Sequence, residues 1–175
     1  MASPAELTKL GEQGKRDFEA GRYEDAASKF RSAAQGYAHL GDRVNGAEQK
    51  NNLSVTLLRL RRPQEALDEV TGTEEVFAGA GDKKRQGMAL NNKATALQDL
   101  KRGEDALAAY ERAAQLLGEV GEGELRAMVL RAAAAIELRH GRIAESGLKM
   151  LGALGSTGKP TLLERVLRSV LRLSR

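Results

Sequence analysis

The chain has 175 residues, of which 41% are hydrophobic and 30% are charged, a composition typical of one soluble globular domain. It contains no cysteine, which excludes disulfides, thiolate metal sites and cysteine nucleophiles. The formal net charge of +4 lies entirely in residues 159–175, so residues 1–158 are neutral overall. A neutral body offers no extended basic surface, and we expect no nucleic-acid partner.

The first residues of the sequence and its composition favour a cytoplasmic protein. The first seven residues lack the basic and apolar regions of a secretory signal. No stretch approaches the ~18 consecutive apolar residues that a membrane-spanning helix needs. The absence of cysteine fits a reducing compartment.

A signal for the end of a helix recurs every 40 residues along the chain. Gly41-Asp42, Gly81-Asp82 and Gly121-Glu122 each place a glycine before an acidic residue. Glycine can adopt the left-handed conformation that ends a helix, and an acidic residue stabilises the first turn of the next helix. The spacing predicts a repeat of 40 residues.

Small and large apolar residues recur with the same period inside the repeats. Two helices that pack closely need small residues where they touch and large residues beside them. The pattern predicts two helices per repeat, A and B, with turns between them at Gly21, Arg62-Pro63, Arg102-Gly103 and Gly141. The recurring positions are Gly14, Ser54, Ala94 and Ala134; Ala26, Ala66, Ala106 and Ser146; Phe30, Val70, Tyr110 and Met150; and Ala33, Thr73, Ala113 and Ala153.

This pattern of small and large residues resembles the tetratricopeptide-repeat (TPR) family. The 40-residue period is similar to the longer repeats of kinesin light chains, G-protein-signalling modulators and bacterial peptide-responsive regulators. The resemblance implies an all-α, right-handed α-solenoid of four helix-turn-helix repeats with a C-terminal amphipathic capping helix. The predicted limits are residues 1–158 for the repeats, at about 5–41, 45–81, 85–121 and 125–157, and residues 159–175 for the last helix.

Two repeats depart from the family pattern in their second helix. Repeat 2 has Thr73 and Glu74 where apolar residues are expected, and repeat 4 has Ser146-Gly147. We therefore expect helix B of repeat 4 to be short or imperfect.

The resemblance also implies a non-enzymatic scaffold or adaptor that binds an extended peptide or a segment of a partner protein in a concave groove. Helices A line that groove in the family. The positions that match are the candidate binding residues: Lys15, Asn51, Asn52, Val55, Met88, Asn91, Asn92, Thr95 and Arg131. The basic clamp with which co-chaperone members hold a carboxylate is not expected here, because the matching positions include Gly11 and Met88.

The asparagines of this set allow two interpretations. An asparagine amide both donates and accepts, so it can pair with a peptide backbone of any sequence. It can equally bond to the neighbouring repeat and only fix the geometry of the fold. Asn51 and Asn91 are the better candidates for contact with a ligand. For Met88 and Met128 we expect core filling, with an adaptable apolar floor as the alternative.

The sequence offers no catalytic constellation, and we expect no catalytic residue, metal or cofactor. His39 and His140 lie in different repeats without the partners that metal or nucleophilic chemistry needs. Gly158-Lys159-Pro160 lacks the Ser or Thr that follows the lysine of a phosphate-binding loop.

Residues 161–175 predict an amphipathic helix that begins with the capping box Thr161-Leu-Leu-Glu164. Its arginines lie on the face opposite the apolar residues. We expect it to cap the solenoid. The alternatives are self-association into a homo-oligomer and, less favoured, binding to a membrane surface, which would make the protein a self-assembling or membrane-associated structural protein. The candidate tail contacts are Leu163, Val166, Leu167, Val170 and Leu171.

Overall fold

The computed structural model describes residues 2–155, and within them every regular element is an α-helix. The helices are α1 (Pro4–Glu19), α2 (Tyr23–His39), α3 (Arg43–Arg59), α4 (Pro63–Val70), α5 (Thr73–Gly79), α6 (Lys83–Asp99), α7 (Gly103–Glu119), α8 (Gly123–Arg139) and α9 (Ile143–Gly155). They pack chiefly against their neighbours in the chain. Helices α1, α3, α6 and α8 correspond to helix A of the four predicted units, and α2, α4 with α5, α7 and α9 to helix B. This stacked arrangement confirms the predicted helical solenoid, whereas the predicted helix of residues 161–175 lies outside the described residues.

The turns from helix B to the next helix A are built on left-handed glycines. Gly41, Gly81 and Gly121 have φ angles of 70°, 72° and 75°. This conformation, which glycine adopts at the lowest steric cost, lets the following amide reach back over the helix end. The amide of Asp42, for example, donates to the carbonyl oxygen of Tyr37 at 2.9 Å. The glycines that revealed the period are thus the residues that end the helices.

The turns from helix A to helix B use the same conformation with different residues. In the first and last units the left-handed residue is Gly21 or Gly141, but in the two central units it is Arg61, with φ of 59°, or Lys101, with φ of 64°. Left-handed backbone is uncommon for residues with a Cβ atom. The two central turns therefore carry backbone strain that the outer two do not.

The central turns also lie slightly earlier than the sequence predicts. Pro63 and Gly103, which the repeat pattern places in the turns, are the first residues of α4 and α7. Proline is favoured at the first position of a helix because its missing N–H is not needed there. The proline and the glycine therefore mark the helix start, and the residue that makes each turn precedes them.

Close packing of the helices explains the recurring small residues. A Cβ atom on Gly14 would lie 2.8 Å from the Phe30 ring, so α1 approaches α2 only because that position has no side chain. In the second unit the small residue is Ser54, which is fully buried. Its hydroxyl donates to the carbonyl oxygen of Ala66 at 2.8 Å, so it packs closely with its polar group satisfied.

Helix B of the second unit is broken, which the sequence-based prediction of one continuous helix missed. The chain leaves the helix at Thr71, which is extended, and passes through left-handed Gly72 (φ 87°) before α5 begins. The hydroxyl of Thr73 donates to the carbonyl oxygen of Val70 at 2.7 Å and satisfies an acceptor freed by the break. In the fourth unit, by contrast, α9 runs without a break from Ile143 to Gly155.

The break buries a charged residue at the contact between the second and third units. Glu74 is almost completely buried and forms an ion pair with Lys93 of α6. It also accepts a hydrogen bond from the amide of Gly72 at 2.9 Å. The polar residue that departs from the repeat pattern is therefore satisfied inside the fold.

The first and last units share a buried carboxylate that the central units lack. Asp17 of α1 is held by Arg22 and Lys29, and 120 residues later Glu137 of α8 is held by Arg142 and Lys149. The corresponding residues of the central units are leucines, Leu57 and Leu97. Hydrogen bonds from the lysine and then from the arginine lower the pKa of each carboxyl group below its ordinary value.

Candidate functional site

Five of the nine candidate binding residues line two cavities along α1, α3 and α6, and the groove that these cavities form is here called the helix-A groove: Lys15, Asn52, Val55, Asn92 and Thr95. Lys15 of α1, Val55 of α3 and Thr95 of α6 occupy the same position of successive repeats. Two cavities, of about 140 and about 500 Å³, open along this row and meet at Val55. The smaller is lined by Lys15, Phe18, Glu19, Phe30, Asn52 and Val55, and the larger by Tyr23, Val55, Leu58, Arg59, Arg61, Asn92, Thr95 and Asp99.

The asparagine pairs of α3 and α6 bond to each other. The side-chain amide of Asn92 donates to the side-chain oxygen of Asn51 at 2.8 Å. Asn51 is only 8% exposed, so this bond joins two neighbouring repeats inside the fold. The amide of Asn91 makes a longer contact of 3.4 Å with the side-chain oxygen of Asn92. Within the described residues Asn51 and Asn92 thus fix repeat geometry, while a ligand contact of Asn91 stays a prediction.

Asn52 differs from the other three asparagines. It lines the smaller cavity, and its side-chain nitrogen is buried without an acceptor among the described residues. A buried donor without a partner is costly. Rotation of this side chain towards the cavity would let it donate to a carbonyl group placed there.

The hydroxyl of Thr95 is occupied within the fold. It donates to the backbone oxygen of Asn91 at 2.9 Å and lies 3.1 Å from the hydroxyl of Tyr110. Burial raises the pKa of the Tyr110 hydroxyl above its ordinary value. Thr95 thus fixes this part of the groove wall against α7.

Met88 and Met128 lie on the surface, so the prediction that they fill the core is wrong. They are 37% and 48% exposed and occupy equivalent positions of α6 and α8. At this position the helices are open to solvent, which periodicity alone did not distinguish from the packed face. Arg131, one turn further along α8, is exposed and forms no ion pair within residues 2–155.

Lys15 belongs to a ladder of compensated charges that crosses from the second half of α1 to the first turns of α3 and α6. Its ammonium group lies 2.9 Å from Glu12 and 3.8 Å from Glu48. Glu48 is also 3.2 Å from Arg85, which in turn contacts Asp82 at 2.7 Å. The hydrogen bond from Lys15 to Glu12, followed by the contribution of Glu48, raises the pKa of Lys15. This side of the groove is therefore close to neutral.

The opposite side of the groove, at the turns from helix A to helix B, carries four cations, of which the sequence pattern indicates only Arg139, as part of a positive end of repeat 4. Arg59 and Arg61 line the larger cavity. Lys101 and Arg139 line a further cavity of about 340 Å³, and Asp99 lies in both. None of these five charged residues forms an ion pair in the part of the chain that the structure describes. The signal in the sequence was the exchange of Gly21 and Gly141 for Arg61 and Lys101 at the same repeat position.

The two histidines take part in helix ends and not in a common site. His39 is the last residue of α2, and His140 follows α8, with its ring nitrogen 3.1 Å from Glu104. Among residues 2–155 no group of three or more His, Asp or Glu side chains could hold a metal ion. No helix in that range is long and apolar enough to cross a membrane. The predicted tail contacts, Leu163, Val166, Leu167, Val170 and Leu171, lie outside the described residues.

Comparison with known proteins identifies the fold through structure and not through sequence. No protein-family model and no curated protein matches the sequence. Among solved structures, the chain is similar to the nearly identical TPR-like repeats of a protein described as a kinesin light chain from Podosopora anserina, with a TM-score of 0.57 and 14% identity over 98% of this chain and 94% of that one. A point variant of the same protein gives a TM-score of 0.57 and 14% identity over 99% and 96% of the two chains. The chain therefore has the TPR-like repeat fold.

Proposed function

We propose that this protein is a non-enzymatic scaffold that binds an extended peptide, or an extended segment of a partner protein, in the helix-A groove. TPR-like folds serve in general as protein-interaction scaffolds, which supports a protein partner. The observation that carries the proposal is the continuous groove across α1, α3 and α6, in which two open cavities meet at Val55.

The dimensions of the groove suit an extended chain. Packed helices lie about 8–10 Å apart, and an extended peptide advances roughly 3.3 Å per residue. Each repeat would therefore meet about every third residue of the ligand. A ligand that crosses α1, α3 and α6 would place side chains near Lys15, Val55 and Thr95 in turn.

In this proposal the side chains along the groove make apolar, hydrogen-bonding and charged contacts with the ligand. Val55 provides an apolar contact between the two cavities, and Asn52 and Asn91 can pair with the ligand backbone. Met88 and Met128 are exposed and flexible, so they can adapt to apolar side chains of different shape. Arg131 adds a cation without an intramolecular partner in the described region.

The test is a peptide-array screen followed by affinity measurements on Val55→Trp. A tryptophan at this position fills the point where the cavities meet, and we expect an affinity loss of about tenfold or more for any groove ligand. Val120→Trp is the matched control, because Val120 is exposed at a turn from helix B to helix A. Equal binding of wild type and Val55→Trp would contradict the groove as the binding site.

A second candidate function is supported by the surface of α9. Ile143 and Leu148 are 72% and 65% exposed, and Met150 is also exposed. This apolar surface lies at the end of the described chain, close in sequence to the amphipathic pattern of residues 161–175. It fits a self-assembling or membrane-surface-associated protein that acts through the tail. Light scattering and liposome sedimentation with and without residues 159–175 test this; a monomeric full-length chain that leaves liposomes unbound would contradict it.

A further inference from the structure

The cations at the turns from helix A to helix B form a positive strip, here called the basic edge: Arg59, Arg61, Lys101 and Arg139. They line two cavities of about 500 and about 340 Å³ that share Asp99. The opposite side of the groove is neutralised by the ladder of ion pairs around Glu48. Apart from Arg131, the groove cations that form no ion pair within residues 2–155 therefore lie on the basic edge.

The backbone at the basic edge adds an independent observation. Arg61 and Lys101 adopt the left-handed conformation, with φ of 59° and 64°, in turns where the outer repeats use Gly21 and Gly141. Glycine would relieve this strain. Both central repeats nevertheless carry a long cation there, and neither cation forms a side-chain hydrogen bond or ion pair within the described chain. The side chains thus have no role inside the described fold that accounts for the strained position.

We propose that the basic edge binds an acidic segment of a partner protein that lies in the helix-A groove. This inference rests on the proposed function and specifies the chemistry of its ligand. Carboxylates of the segment would pair with Arg61 and Lys101 and with the two arginines beside them, and they would supply the counter-charges that the described fold does not. Arginine in particular forms two parallel hydrogen bonds with a carboxylate.

Asp99 sets the spacing of the acidic residues in the ligand. It lies between the two basic pairs, in both cavities, and it is exposed. A carboxylate placed next to it would be repelled. The ligand should therefore carry its acidic residues in two groups, one for Arg59 and Arg61 and one for Lys101 and Arg139, with a neutral or basic residue between them.

A competing explanation is that the cations stabilise the ends of the helices. Arg59 and Arg139 are the last residues of α3 and α8, where the helix dipole favours positive charge. If Arg61 and Lys101 also served the helix ends, their replacement would lower the melting temperature. If they serve a ligand, replacement by glycine relieves strain and raises it. Under our inference, replacement of Arg61 and Lys101 by glycine raises the melting temperature and lowers the affinity for the ligand. Under the competing explanation it lowers the melting temperature.

The experiment measures binding and stability on the double variant Arg61→Gly/Lys101→Gly. The probe is a fluorescein-labelled peptide with paired glutamates in a Gly/Ser background. It has about twelve residues, which is enough to cross the groove at roughly three residues per repeat. The control peptide has glutamine in place of each glutamate. We expect the wild-type protein to bind the glutamate peptide more tightly than the glutamine peptide. We expect the affinity of the double variant for the glutamate peptide to be lower than that of the wild type by about fivefold or more. We expect the Tm of the variant to rise by roughly 2–4 °C, and added salt to weaken the wild-type interaction.

Two further variants make the test specific. Lys9→Gln/Lys50→Gln removes two exposed cations outside the basic edge that form no ion pair in the described part of the chain, and it should bind as wild type does. Asp99→Asn removes the repelling carboxylate and should tighten binding of the glutamate peptide. Equal binding of the two peptides, equal loss in the control variant, or a lower Tm of the glycine variant would each overturn the inference.

The proposed function and this inference can fail separately. If the peptide array finds neutral or basic ligands that depend on Val55 and no acidic ones, the scaffold function stands and the basic edge is not a binding site for acidic segments. If no peptide on the array binds in a way that depends on Val55, both are wrong.

Discussion

At the scale of single residues, the charged side chains of this protein fall into two groups. Inside the first and last units, Asp17 and Glu137 are buried and each is held by two cations. Along the groove, Arg61 and Lys101 are exposed and have no partner within residues 2–155. The first group contributes to folding, whereas the second is available to a ligand.

The buried carboxylates predict that the protein loses stability in acid. The pKa of each is lowered in the folded state, while unfolded Asp and Glu titrate near about 3.9 and 4.3. Their contribution is therefore complete above about pH 5 and is lost as the pH falls through the folded-state pKa values, because the unfolded chain then binds more protons. Circular dichroism melts between about pH 7 and pH 3 should show Tm falling over the acidic part of that range.

Replacing Asp17 and Glu137 by their amides measures how much of the fall in Tm at acidic pH is due to these two carboxylates. Asp17→Asn/Glu137→Gln should melt at a lower temperature at neutral pH and change less with pH than wild type. Asp25→Asn/Glu145→Gln, which alters two exposed carboxylates without ion pairs in the described region, is the control. An unchanged slope in the first double variant would show that other carboxyl groups cause the acid sensitivity.

A second residue-scale prediction concerns the contact between α1 and α2. Gly14→Ala would place a methyl group 2.8 Å from the buried Phe30 ring, and we expect it to lower the free energy of unfolding by about 1–3 kcal/mol. Gly147→Ala is the matched control, since a Cβ atom on Gly147 in α9 meets nothing within 4 Å. It should raise that free energy by up to about 1 kcal/mol, because alanine is the better helix former. Urea denaturation measures both, and a Gly14→Ala chain as stable as wild type would contradict the packing.

At the scale of the helices, the break between α4 and α5 depends on one backbone angle. Gly72 has φ of 87°, so Gly72→Ala should lower the free energy of unfolding by about 1–2 kcal/mol. Gly79→Ala, in α5, should be neutral or stabilising, because a Cβ atom there has nothing within 4 Å. Thermal melts of the two variants compare a strained with an unstrained glycine of the same segment. A Gly72→Ala chain of unchanged Tm would indicate that helix B can close into one helix.

Most helix boundaries could be predicted from the sequence because glycine marks them. Gly41, Gly81 and Gly121 recur every 40 residues and end a helix each time. Arginine and lysine do not favour the left-handed conformation, so at Arg61 and Lys101 only the alignment with Gly21 and Gly141 in the repeat indicates it. The break at Gly72 has a local signal, a glycine between two threonines, but it lies where the repeat pattern predicts a continuing helix.

The repeat pattern predicts which positions of the helices are equivalent, but not how the side chains at those positions interact. Val55 and Thr95 have the same repeat phase and line the same cavity, because equivalent positions of stacked helices face the same way. The bond between Asn51 and Asn92 depends on how two side chains meet across repeats, which the spacing alone does not determine. The exposure of Met88 likewise depends on how the helices pack, which the spacing alone does not determine.

At the scale of the whole molecule, stability comes from contacts between neighbouring units, since the helices pack chiefly against those next to them in the chain. The last described unit lacks a neighbour on one side within residues 2–155, and it is there that Ile143 and Leu148 are most exposed. In such repeat proteins a terminal element normally covers the last apolar face.

This arrangement leads to a prediction for the chain without residues 159–175. If the tail caps the solenoid, the shortened chain should keep its helical circular dichroism, melt at a lower temperature and bind more of a dye that reports exposed apolar surface. The full-length chain is the control. An unchanged Tm and unchanged dye binding would contradict a capping role and leave the apolar surface of α9 to another partner.

The glycine turns at Gly41, Gly81 and Gly121 share one backbone geometry. The number of repeats can therefore change by duplication or deletion of the coding sequence between two turns. Duplication of the coding sequence between two such turns would add one complete pair of helices that already fits its neighbours. Each duplication would lengthen the groove by about one helix spacing, roughly 8–10 Å, and each deletion would shorten it by the same amount. Under the proposed function, the number of repeats would therefore set the length of ligand that fits the groove, in steps of about three residues.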